Sequence, residues 1–327
     1  MSMRLMALLF ALITAGWGYY PVTFEKAPSV IAFGSCNDQS STQEHWAIIA
    51  KEEPDLWIWT GDAVYADTSD PEAMRETYNR LFHNRSYRHF RETTPVIGTW
   101  DDHDYGRNNA GKEFPIKEDA QQIALDFFEE PPASARRKQE GIYTAYTFGE
   151  GAERVKIILI DDRYHAERER GELLGETQTQ WLLKALRSSD AAVNIIVSGI
   201  QVLAQEHRYE KWADFPRSRK RLFEFIKQEK IPGVLFISGD RHLSEISRRN
   251  DLASYPVYDV TVSGLTHSYS PLFGESNRYR VGELFGERAF GVLRFDWEQR
   301  NVTVEIHDME NTVVHSIVLP IRMTTPE

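Results

Sequence analysis

Six short apolar runs rich in β-branched and aromatic residues recur along this chain, and five of them end on side chains that carry charge or ligate metals. They read "SVIAFGSC" at 29–36, "DLWIWTGD" at 55–62, "TPVIGTWDD" at 94–102, "RVKIILIDD" at 154–162, "NIIVSGIQ" at 194–201 and "GVLFISGD" at 233–240. Several lack polar alternation, which predicts strands covered on both faces. Helical patterns lie between them. Residues 41–53 open on Ser and Thr capping candidates, and 71–91 follow Pro71. Residues 176–189 place Trp181, Leu182, Ala185 and Leu186 on one stripe, and 217–230 do the same with Leu222, Phe225 and Ile226. Strand and helix in alternation predict an α/β fold with the helices outside.

The tail changes character. Runs at 258–265, 291–297, 301–308 and 312–320 read as consecutive antiparallel strands of a second sheet, the last pair turning at Glu310 and Asn311. No Pro/Ser-rich linker separates them from the rest, so one domain is expected. The stretch from Thr266 to Glu287 is long for a connection and is expected to border a site.

At 327 residues the chain can bury a large core, and its net charge of −11 argues against a broad nucleic-acid or anionic-lipid surface. The opening carries Arg4, an apolar run from Leu5 to about Ala15, and small residues at Thr14, Ala15, Gly16 and Gly18. That pattern predicts a cleaved secretory signal over residues 1–18, too short to span a bilayer. No twin-arginine pair or lipoprotein cysteine accompanies it. The mature chain is therefore expected to be periplasmic or extracellular, without a membrane span. Cys36, the only cysteine, has no disulfide partner.

In α/β sheets, ligands bind at the carboxyl ends of the strands. Here those ends carry Cys36 and Asn37, then Asp62, then Asp101, Asp102, His103 and Asp104. Asp161, Asp162 and Arg163 follow, and last Asp240, Arg241 and His242. "DDHD" sets three carboxylates and an imidazole in four residues, and like charges so close repel unless a cation sits among them. Asp240 and His242 project to one face if their strand continues. Arg163 and Arg241 either clamp phosphate oxygens or pair with Asp161 or Asp162. Trp57, Trp59 and Trp100 read as core residues, and the basic cluster at 217–221 as a solvated face. His207 and His267 either reach the pocket or lie exposed.

The ordered set "FGSC", "GDAVYAD", "TWDDHDYGRNN", "IDDRYH", "SGIQV" and "SGDRHLSE" resembles the alkaline phosphatase D family, the PhoD-like metallophosphoesterases, from about Val30 to Leu319. The resemblance implies a four-layer sandwich, two mixed β-sheets flanked by helices, with the catalytic domain over 28–321. The β-sandwich domain that precedes it in the full bacterial layout is expected to be absent, since only a dozen or so residues separate the expected signal from the first catalytic strand. It implies Fe3+ and Ca2+ as cofactors, with Cys36, Asp62, Tyr65, Asp102, Asn108, Asp240 and His242 as metal ligands. Cys36 is then a thiolate ligand, Tyr65 a phenolate ligand of iron, and Asp62 the bridge between metals. Which of Asn108 and Asn109 binds calcium stays open, and Asn109 and Gln201 are candidate substrate contacts. His103, with Arg163 and Arg241, becomes the catalytic and phosphate-facing set. The implied reaction is hydrolysis of phosphate mono- or diesters by a metal-bound hydroxide, on a small phosphorylated substrate. A phospholipase D-like diesterase acting on phospholipid is the variant within that class. A non-catalytic envelope protein that binds calcium or a phosphorylated ligand is the alternative outside it. Two positions depart from the family pattern, Ile200 in the fifth motif and Ala63 after Asp62, and neither removes a proposed ligand.

Overall fold

The computed structural model describes residues 22–269 and 275–321. The expected signal at 1–18 lies outside the described residues. The strands are β1 (Val22–Phe24), β2 (Val30–Gly34), β3 (Leu56–Thr60), β4 (Val96–Thr99), β5 (Thr144–Phe148), β6 (Val155–Leu159) and β7 (Val193–Ser198), then β8 (Val234–Ser238), β9 (Ser244–Arg249), β10 (Val257–Val262), β11 (Arg280–Phe285), β12 (Ala289–Asp296), β13 (Asn301–Asp308) and β14 (Val313–Pro320). The helices are α1 (His45–Ile49), α2 (Pro71–Phe82), α3 (Arg85–Arg91), α4 (Asp102–Tyr105), α5 (Lys117–Phe127), α6 (Gly175–Arg187) and α7 (Pro216–Gln228).

Two mixed sheets result. One runs β1-β5-β6-β7-β8-β10-β9-β11 and the other β14-β13-β12-β2-β3-β4. Their inner faces close on each other through Ile31, Phe33, Ile58, Ile157, Val197 and Ile237. The outer face of the smaller sheet packs on α1, α2, α3 and α5 through Trp46, Trp57, Trp59, Tyr87 and Phe90. The larger sheet carries α6 and α7 on Leu182, Leu186, Leu222, Ile226 and Phe236. This is the expected four-layer sandwich. Both faces of β3 are apolar for that reason: Leu56 and Ile58 enter the inter-sheet core while Trp57 and Trp59 face the helices. Trp46, Trp57 and Trp59 meet edge to face at 5.2 to 5.4 Å, a preferred aromatic geometry.

Three expectations need correction. Residues 71–91 form two helices, because Asn84 ends the first and caps the second, its Oδ1 accepting from Ser86 N at 2.9 Å. The strand expected at 258–265 does not precede β12 in its sheet. As β10 it pairs parallel with β8 and antiparallel with β9, while β12 pairs antiparallel with β2. The stretch from 266 to 287 is not all loop, since β11 lies within it and pairs with β9. Among the described residues, no helix is long and apolar enough to cross a membrane.

Candidate metal centre

The strands stop just short of the polar motifs, and the following turns fold those motifs into one crevice between the two sheets. Cys36, Asp62, Asp240 and His242 have φ of 59°, 46°, 69° and 52°. With Asp67 and Asn109 they make six of the eleven described non-glycine residues in the left-handed region, where side chains are strained. Asp240 and His242 therefore reach the crevice through a turn, not by strand pleat. Gly61 and Gly199 let Asp101 in between them. A Cβ on Gly61 would come within 2.5 Å of Asp101 Cβ, and one on Gly199 within 2.6 Å of Asp101 Oδ1.

At the first cluster, Cys36 Sγ lies 3.5 Å from Asp62 Oδ2 and 2.9 Å from Ser263 Oγ. The Tyr65 hydroxyl is 2.7 Å from His242 Nε2. Cys36, Asp62 and His242 each offer a donor atom within 4.8 Å of the others. Donors on one first-row ion, each about 2.0 to 2.3 Å from it, stand roughly 3 to 3.7 Å apart in a tetrahedral site, and the 3.5 Å between Cys36 Sγ and Asp62 Oδ2 falls in that range. The metal-free electrostatics are unfavourable. Burial, against hydrogen bonds from Ser263 and Ser35, pushes the Cys36 thiol up to about 12. Burial, with Cys36 and neighbouring carboxylates adding to it, raises Asp62 and Tyr65 well above their ordinary values. A cation reverses that logic by stabilising thiolate, carboxylate and phenolate together.

The second cluster is richer in oxygen. Asp62 joins Asp102 and His103, and Asp101 and Asp102 join Asp240, each trio with donor atoms within 4.8 Å. Asp62 belongs to the first cluster too, so the two groups share one carboxylate. Asp101 Oδ2, Asp102 Oδ1 and His242 Nδ1 are buried without hydrogen-bond partners. A buried carboxylate oxygen left unpaired is costly, and oxygen ligands of this kind suit a hard cation such as calcium. Burial and the Asp102 charge bring Asp240 up to about 7, against Arg241 and Arg163. Asp104, the last acid of "DDHD", turns away: it accepts from Ala63 N at 3.0 Å and Asp101 N at 2.6 Å, tying the second and third motif loops together.

The sequence model of the PhoD-like phosphatase family matches residues 31–253, which takes in Cys36 through His242 and so both clusters. The chain belongs to the PhoD-like phosphatase family. A relative, alkaline phosphatase D of Bacillus subtilis (strain 168), is 24% identical over 272 residues, covering 65% of this chain and 46% of the relative. The chain thus spans about half the length of the curated relative it matches. Among solved structures, PhoD superposes with a TM-score of 0.68 at 19% identity, over 92% of this chain and 70% of that one. GAP50, described as the anchor in the inner membrane complex of Plasmodium, superposes at 0.61 and 13% identity, over 91% and 90%. Both are likenesses of fold.

The remaining candidates of this PhoD-like chain fall into place around the donors. His103 is partly buried beside Tyr65, with ring centroids 4.4 Å apart, and its Nδ1 is 2.7 Å from Asp67 Oδ1. Burial works to lower its pKa, but the Asp67 hydrogen bond and the Asp102 charge outweigh it and the net shift is upward. Asn108 and Asn109 are exposed, and Asn109 meets the cluster through its main chain, N–H to Asp102 Oδ2 at 2.6 Å. Arg163 is wholly buried, its guanidinium committed to Asp101, with Nε to Oδ1 at 2.6 Å, and to Glu210. The partners suggested by sequence do other work. Asp161 accepts from the Arg163 and Tyr164 N–H groups at 2.9 Å, and Asp162 from Ser198 Oγ and Gly199 N at 2.8 Å. Arg241 pairs with Glu275 and reaches Gln201 Oε1 at 3.3 Å. Gln201 in turn donates to Glu245 at 2.7 Å and Thr261 at 2.8 Å.

Sequence reading passed over Asp67, five residues beyond Asp62 in "GDAVYAD", and Ser263 at the end of β10. Ser263 Oγ contacts Cys36 and accepts from His242 N at 2.7 Å, so it spans the first and last motifs. Its signal was the small polar residue closing an apolar run, as in the other motifs. His207 is buried with both ring nitrogens unpartnered, and His267 packs on His242, so neither is simply exposed.

Proposed function

We propose that this chain is a metal-dependent phosphoesterase acting on mono- or diesters of phosphate, with iron at Cys36, Asp62, Tyr65 and His242 and calcium among Asp62, Asp101, Asp102 and Asp240. The observation that carries this reading is the convergence of thiol, phenol, imidazole, three buried carboxylates and the half-buried Asp240, joined through Asp62, in a family of phosphatases. Thiolate and phenolate are anionic donors that suit a trivalent ion, whereas the carboxylates suit calcium. Bound there, the cations supply a nucleophile at neutral pH and neutralise charge on the phosphoryl group.

The chain's own residues do the rest. Asp67 fixes the tautomer and tilt of His103, keeping a proton on Nδ1 and leaving Nε2 to face the phosphate or the leaving alkoxide. Asp104 and Ser263 hold the donor loops in register. Arg163 holds Asp101 in place; direct phosphate contact from Arg163 or Arg241 would require each to release a carboxylate. A purely binding role would leave the Asp67–His103 pair without a use, which favours catalysis. Export, expected from the apolar opening, belongs to the same proposal, and cell fractionation tests it.

The experiment is metal analysis of the purified protein with hydrolysis of p-nitrophenyl phosphate and bis(p-nitrophenyl) phosphate. Bound iron and calcium with turnover of either ester is the expected result. Neither metal nor turnover after supplementation would overturn the proposal. Choline release from phosphatidylcholine measures the phospholipase variant directly.

A further inference from the structure

A series of aromatic rings leads from the metal donors to solvent. The His242 ring meets His267 at 4.3 Å, nearly edge to face, and Tyr269 at 4.4 Å, tilted by 41°. His267 also stands at 5.1 Å from Tyr65. At the outer end Tyr269 is 52% exposed, while every other Phe, Tyr and Trp with described burial is buried or half-buried. Its ring is nonetheless placed with care. Tyr269 N donates to the His242 carbonyl at 2.9 Å. Three residues earlier, the Thr266 hydroxyl accepts from Asp38 N at 2.8 Å and contacts His267 Nδ1 at 2.9 Å. The arm is therefore tied to the Cys36 loop at one end and to His242 at the other. Through its 4.4 Å contact with His242, the Tyr269 ring stands beside the donor cluster.

We propose that Tyr269 is a stacking platform for the leaving group, and that the esters this site favours carry a planar ring, as aryl or nucleoside phosphates do. The inference rests on the phosphoesterase reading and deepens it by naming a substrate class. With the phosphoryl group at the metal donors, the ester's organic part must leave the crevice on its open side, where Tyr269 lies. A polyol there would need free hydrogen-bonding groups, and two charged side chains of the site are already paired: Arg241 with Glu275, and Glu210 with Arg163. Tyr209, whose ring already lies 4.4 Å from the Arg241 guanidinium, has its cation in place. What Tyr269 offers is a ring face, and aromatic faces bind planar rings by stacking.

The test compares calorimetric binding of phenylphosphonate and methylphosphonate to the metal-loaded protein, Tyr269→Ala and Tyr269→Phe. It also compares kcat/KM for 5′-AMP with that for ribose 5-phosphate. Wild type is expected to bind the phenyl compound about five- to tenfold more tightly, the usual size of a ring–ring contribution, and to prefer AMP by a similar factor. Tyr269→Phe should keep both ratios, and Tyr269→Ala should bring them towards one. A ratio of one in wild type, or an unchanged ratio in Tyr269→Ala, would overturn the inference. Absence of hydrolysis with the binding preference intact would count against the phosphoesterase reading and not against the platform.

Discussion

His45 makes the fold acid-sensitive in a way that can be worked out from its surroundings. The side chain has no exposed surface, and neither ring nitrogen has a hydrogen-bond partner. Burial first, and then the positive charge of Arg288, lower its pKa from 6.5 to about 3. The folded chain keeps the ring neutral where the unfolded chain takes up a proton. Stability is thus complete above pH 6.5 and is lost as pH falls through the window from 6.5 to about 3. At about 1.36 kcal/mol per pH unit, acidification from about pH 7.5 to 5 removes ~2 kcal/mol through this one group, and ~5 kcal/mol by about pH 3. His45→Leu deletes the linkage while keeping an apolar side chain against Trp46. Urea unfolding of both proteins at the two higher pH values measures it, since losses from other buried groups are common to both. Wild type should lose ~2 kcal/mol more than the variant. Equal losses in the two proteins would refute the reasoning.

Two further substitutions probe the site. In Asp67→Ala, His103 loses the hydrogen bond that most raises its pKa, so it deprotonates at lower pH. The alkaline limb of the pH–rate profile should move to lower pH, with an activity loss of about 10- to 100-fold, typical of lost groups that orient a catalytic or ligating histidine. Arg163→Met leaves Asp101 and Glu210 facing each other in the interior without a cation. Urea unfolding should show a destabilisation of about 3–5 kcal/mol, the range for a broken buried ion pair.

Much of the architecture was legible because the chain repeats one device, an apolar run closed by ligand-type residues. Five strand ends, their order and the shared crevice follow from that device and from the rule that ligands gather at carboxyl ends. Sheet membership was not legible. β10 and β12 are both largely apolar, and only pairing with β8 or with β2 assigns them to different sheets. β1, β5, β9 and β11 escaped notice for a related reason, being short or polar strands towards the ends of the larger sheet. At the site, "DDHD" announced a charged cluster but not the division of labour within it. Asp104 faces backbone N–H groups and Asp102 faces the crevice because a one-turn helix separates them, a distinction no spacing rule conveys. Arg163 looked equally suited to phosphate or to its sequence neighbours, yet its partners come from 62 and 47 residues away.

The proposed metal centre turns on Cys36, an unpaired thiol buried among acids and forced up to about 12 when no cation is present. Quantifying iron and calcium in wild type and in Cys36→Ser by plasma mass spectrometry tests it most directly. Wild type should carry both metals, and the variant should lose iron while keeping its far-ultraviolet circular dichroism. Full iron content in Cys36→Ser, or no iron in wild type grown with iron supplied, would contradict the metal centre described here.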